Sequence, residues 1–153
     1  MVKNIFVMAF LAVIFFSAQA FAEAPIYTGP SNNVGVSGYD TVSYFSETGP
    51  VKGSKHYATE WRGASWYFSS QDNLDKFKAD PEKYAPQYGG YCAWAVGHGG
   101  LSKGNPKQWT IADGKLYLNY DSRILASWLP VKDELIPVAD KEYPNLVDFE
   151  GAE

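Results

Sequence analysis

The sequence predicts a small, single-domain α+β fold with two β-hairpins and several short helices. Three observations carry this. Two stretches alternate apolar and polar residues around a Gly-containing turn, Arg62-Gly63 and Asp113-Gly114. Between and after them lie short apolar stripes at helical spacing, opened by Ser or Asp and stopped by Pro. The chain has 153 residues and one cysteine, so a hydrophobic core must hold it, not a disulfide framework.

Residues 1–22 read as an export signal. Lys3 supplies the positive start, Ile5 to Phe16 is an uncharged apolar run, and Ala20-Phe21-Ala22 gives the small-x-small pattern for cleavage before Glu23. The run is shorter than the roughly 20 residues a membrane span needs. A periplasmic or secreted protein is therefore expected, with no stable membrane span after cleavage. No cysteine near that point offers a lipid attachment. Residues 23–37 are rich in Pro, Gly and Asn and read as a loose leader. Residues 38–120 read as the folded domain, and 121–153 as a C-terminal helical extension packed on it.

Within the domain, Thr41 to Phe45 is a short strand candidate. His56 to Ser69 forms the first hairpin. A two-residue turn puts Trp61 opposite Ala64, Thr59 opposite Trp66 and Tyr57 opposite Phe68 on an apolar face. Glu60 and Ser65, Ala58 and Tyr67, and His56 and Ser69 then pair on the polar face. Ser70 caps a helix running to about Ala79 that buries Leu74 and Phe77, and Asp80-Pro81 starts another turn. Tyr91 to Gly97 is a short helix candidate after Gly89-Gly90. Trp109 to Tyr120 is the second hairpin, with Trp109, Ile111, Leu116 and Leu118 on one face. Helices from Asp121 or Ser122, and from about Val131 to Glu142, follow. Pro137 is the expected kink and Pro144 the stop.

The net charge of −4 argues against nucleic acid and anionic membranes as partners. No nucleotide-binding loop, Ser-His-Asp set or paired-carboxylate signature is present. Both methionines, Met1 and Met8, lie in the export signal. This leaves His56, Cys92 and His98 as the soft or borderline metal ligands. Cys92 sits in Tyr88-Gly89-Gly90-Tyr91-Cys92-Ala93-Trp94. It is either a small buried hydrophobe or a reactive, metal-binding thiol. Cys92 and His98 fall on different sides of a regular helix, so they converge only if the chain turns at Gly97 or Gly99-Gly100. The five tryptophans are expected in the core, and Tyr67, Tyr88 and Tyr91, where exposed, could offer a stacking platform.

From Val36 to Tyr120 the chain resembles the exported branch of the YHS-domain family. Gly38-Tyr39-Asp40-Thr41-Val42-Ser43-Tyr44-Phe45, Trp61-Arg62-Gly63-Ala64-Ser65-Trp66-Tyr67-Phe68-Ser69-Ser70, Asp80 to Ala93 and Trp109 to Tyr120 carry the resemblance. It implies a small YHS-like α+β domain and association with metal. The wider family carries cysteines where this chain has Ser37, Ser69 and Asn73, which are far poorer ligands for zinc or copper. The expectation is an exported module binding a soft transition metal, copper or otherwise zinc, at Cys92, His56 and His98, as carrier or sensor without turnover. Two alternatives stand beside it. One is a redox module in which Cys92 works with a partner protein's thiol, as relatives described as selenoproteins suggest. The other is a non-catalytic interaction or small-ligand module.

Overall fold

The computed structural model describes residues 22–150; the expected export signal lies outside these residues except for Ala22. The fold is small and α+β, with three two-stranded antiparallel sheets and short helices around them. Strands β1 (Tyr39–Asp40) and β2 (Val51–Lys52) form a minimal pair. Strands β3 (Ser54–Trp61) and β4 (Ala64–Phe68) form the first hairpin, and β5 (Asn105–Ala112) and β6 (Lys115–Asn119) the second. Helices α1 (Gln71–Ala79), α2 (Pro81–Tyr84) and α3 (Ala93–Val96) lie between the hairpins. Helices α4 (Ser122–Trp128) and α5 (Lys132–Leu146) follow them.

The capping residues act as their chemistry dictates. Ser70 accepts from the Asn73 amide, Asp80 from Lys83 and Asp121 from Ile124, each satisfying an orphan N–H at a helix start. Both turns use positive φ at the expected pair: Arg62 and Gly63, then Asp113 and Gly114. Near the turns the registers follow the alternation, with Trp61 opposite Ala64 and Ile111 opposite Leu116.

The first hairpin departs from its expected register away from the turn. Phe68 pairs with Ser54, and a bulge before Ala58 carries Lys55, His56 and Tyr57 out of register. Tyr57 therefore does not face Phe68, nor His56 Ser69. The preceding glycine explains the exit of the chain: a Cβ on Gly53 would lie 2.4 Å from the Tyr67 backbone, so this close approach needs glycine. Thr41–Phe45 is a 3₁₀ helix and not a strand, because the Asp40 side chain accepts from the amides of Val42 and Ser43 and turns the backbone. Helix α5 contains both Pro137 and Pro144 and runs past the expected stop to Leu146.

Two buried clusters divide the interior. One joins the first hairpin to α1 through Trp66, Phe68, Leu74 and Phe77, with the Trp66 and Phe77 rings 5.2 Å apart. The other lies under the C-terminal helices and contains Tyr88, Tyr91, Val96, Tyr117 and Trp128. The second hairpin separates them. Leu116 and Leu118 face the first cluster and Tyr117 the second, and all three are buried. Residues 121–147 contribute Trp128, Ala139 and Val147 to the second cluster.

Residues 23–37 are packed as well. Ile26, Val34 and Val36 are buried. Glu23 bridges Val147, and Val34 bridges Ser65. The hydroxyls of Tyr91 and Tyr143 donate to the carbonyls of Ala24 and Pro25. Gly89 lies so close to this strap that a Cβ would fall 1.8 Å from the Pro25 oxygen. A loose leader was the expectation from composition; its three apolar side chains override its Pro and Gly content.

Candidate functional site

Three places hold chemically capable groups. The first centres on Asp40, at the end of β1 and 0% exposed. One carboxyl oxygen accepts from the amides of Val42 and Ser43 at 2.9 and 3.3 Å. The other accepts from the Ser69 amide at 2.8 Å, the Ser69 hydroxyl at 2.6 Å and Asn73 Nδ2 at 2.7 Å. The carboxyl thus ties the 3₁₀ turn to the corner between β4 and α1. Five donors on one buried carboxyl exceed the roughly four lone-pair sites such a group offers, so the cluster is a cross-link with nothing left over for a ligand.

The second place is Cys92, at 1% exposure. Its amide donates to the Ser102 carbonyl, and its thiol donates to Asn119 Oδ1 at 3.6 Å. The same Oδ1 accepts from the Trp94 amide at 3.2 Å. Cys92 is thereby a small buried residue hydrogen-bonded between α3 and β6, although the Asn119 Nδ2 beside it has no hydrogen-bond partner. His56 is exposed in the β3 bulge, its ring edge-on to Tyr57 at 4.9 Å. His98 is exposed after α3; its ring lies 4.5 Å from that of Trp94, with Nδ1 2.7 Å from the Trp94 carbonyl oxygen. Among the described residues, no group of three His, Cys, Asp or Glu side chains could hold a metal ion. The set His56, Cys92 and His98 is therefore not brought together: the bulge carries one outward, the core seals the second, and Trp94 holds the third at the surface.

The third place is a cleft of about 220 Å³ between the turn of the first hairpin and α5. Trp61, Arg62 and Glu82 line one side, and Tyr88, Asp140 and Tyr143 the other, with Phe149 at the rim. Arg62 pairs with Glu82 at 2.5 Å, its guanidinium carbon 4.5 Å from the centre of the Trp61 ring and 5.5 Å from that of Phe149. The Tyr88 hydroxyl donates to Asp140 at 2.9 Å. Burial, then the hydrogen bond to Asp140, raises the Tyr88 hydroxyl far above the ordinary tyrosine range; burial does the same for Tyr143. Both phenols are therefore fixed neutral donors. Tyr88 holds φ of 56°, an uncommon conformation for a bulky residue. Tyr88 and Tyr91 are buried, so neither is the exposed stacking surface considered from sequence. Asp140 and the grouping of Arg62 with Phe149 had no sequence signal beyond a turn arginine and a helical acid, since the pieces are far apart in the chain.

The fold and these sites define a small α+β module whose buried carboxyl and thiol are both hydrogen-bonded within the chain. Residues 42–88 match the family model of the YHS domain, so the chain carries a YHS domain over this segment. The matched segment contains Ser69 and Asn73 and ends before Cys92 and His98. No curated protein and no solved structure matches the chain. YHS domains are a family associated with metal binding. The donors here do not fit a soft metal. The one thiol is sealed against Asn119, the two imidazoles stand apart, and the polar cluster offers only carboxyl, hydroxyl and amide groups, all engaged with one another.

Proposed function

We propose that this chain is an exported, non-catalytic binding module built on a YHS scaffold. The observation that carries the reading is the cleft beside Tyr88. It is open, walled by aromatic rings and furnished with charged groups at fixed positions, the usual make-up of a small-ligand site. By contrast, the Asp40 carboxyl is saturated by donors and the Cys92 thiol is closed off. A binding role asks nothing of either group. Nuclear magnetic resonance of residues 23–153 against a panel of small polar aromatic compounds tests this. Shifts concentrated at Trp61, Arg62 and Tyr143 are expected, and a panel that perturbs none of them removes the reading.

Copper carriage or sensing is the second reading, favoured by the family's metal association and by Cys92 as the single thiol. It requires the segment around Ser102 to open so that the metal reaches sulfur. Titration with Cu(I) and zinc separates the two readings. Tight Cu(I) binding that disappears in Cys92→Ser supports the carrier. Equal, weak binding by both proteins ends it.

A further inference from the structure

The cleft at the first hairpin turn has a specific electrostatic character. Its rings form a nearly continuous wall. Tyr88 and Tyr143 are 5.5 Å apart, and Tyr143 and Phe149 5.7 Å. The Arg62 guanidinium then sits between Phe149 and Trp61. Aromatic faces carry negative potential and attract cations. The wall therefore already holds one cation of the chain's own, and Glu82 neutralises that cation.

Asp140 is different. Its carboxyl accepts the Tyr88 hydroxyl, and no Lys, Arg or His forms an ion pair with it among the described residues. It is exposed, on the α5 side of the cleft. Once Arg62 and Glu82 are set against each other, the charge left without a counterpart is that of Asp140. The space in front of it, about 220 Å³, suits a small molecule and not a polymer chain.

We infer that this cleft binds a small organic ammonium, its cationic end at Asp140 and its apolar body against Tyr143 and Phe149. The inference rests on the reading of the chain as a binding module and names the ligand class for it. Primary and quaternary ammonium ions share the required chemistry. A primary amine adds a hydrogen bond to the carboxyl, while a quaternary ion relies on the ring faces.

The test uses residues 23–153 and four probes of one shape: benzylammonium, benzyltrimethylammonium, benzyl alcohol and benzoate. Resonances of Trp61, Tyr143 and Asp140 are followed at low salt. Either ammonium is expected to bind about tenfold or more tightly than the alcohol and the carboxylate. Asp140→Asn should remove about three- to fivefold of that preference, the worth of an exposed ion pair, while its amide oxygen still accepts from Tyr88. Phe149→Ala, at an exposed rim position, should cost about threefold. Equal binding of ammonium and benzoate, or an Asp140→Asn variant that binds as tightly as wild type, overturns the ammonium assignment and leaves a ligand cleft of other specificity. If no probe moves these resonances at millimolar concentration, the cleft is not a site and the binding-module reading falls with it.

Discussion

At the scale of single residues, Asp40 is the group on which the most bonds converge. Its motif, Gly38-Tyr39-Asp40-Thr41, was visible in the sequence, but its role was not. Three of its five donors come from Ser69 and Asn73, about thirty positions away, and no local pattern announces a contact of that range. Asp40→Asn tests the role. The amide has the same shape but turns an N–H₂ toward groups that are themselves donors, leaving buried donors unpaired. A loss of about 3 kcal/mol in urea unfolding is expected, and a loss under 1 kcal/mol would show that the cross-link is dispensable. Ser70, Asp80 and Asp121 were legible for the opposite reason, since a cap acts on amides two or three residues away. Cys92 is intermediate. Its two readings could be framed from its neighbours, but the choice lay with Asn119, on another strand.

Among elements, the second hairpin was read correctly in turn and register and only half correctly in environment. The alternation placed Leu116 and Leu118 on a buried face. It could not show that Tyr117, on the other face, would be covered too. That cover comes from α4, where Trp128 is fully buried and its ring lies 5.4 Å from that of Tyr117. Trp128→Ala should therefore cost about 3–5 kcal/mol, as much as truncating a central core residue. The midpoint of thermal unfolding would register it as a large drop in one cooperative transition. A separate early transition, with the YHS segment melting later, would show instead that the C-terminal helices are an accessory layer. The first hairpin teaches a related point. Period-two alternation continues through Lys55, His56 and Tyr57, yet the strand bulges there. What decides it is the close approach of Gly53 to the Tyr67 backbone, a tertiary constraint that a strand pattern does not carry.

For the molecule as a whole, the tyrosines give a pH signature. Burial first, then neighbouring acids, raises Tyr117 to about 12; burial, Glu23 and Tyr27 do the same for Tyr91. Their folded values lie above the unfolded value of 10.0. Below pH 10 both states hold the proton, so the full stability is present. As pH rises from 10 toward 12 the unfolded chain ionises first, and stability is lost. Urea midpoints should be level between pH 7 and 9 and fall steeply above 10; a flat profile to pH 11.5 would contradict the burial of these phenols.

The strap at residues 23–27 has a consequence for how the chain must assemble. Glu23 pairs with Val147, and Tyr143 reaches back to the carbonyl of Pro25. These contacts span nearly the whole sequence, so they close the largest loop in the fold and pay the greatest entropy before any reward. They should form last, after both hairpins are in place. In a stopped-flow refolding experiment, Tyr143→Phe would then leave the folding rate nearly unchanged and speed unfolding. The same geometry makes the chain a candidate for circular permutation. A short Gly/Ser linker from Asp148 to Glu23, with new ends opened at the exposed Asp113-Gly114 turn, would turn the slowest closure into a local one.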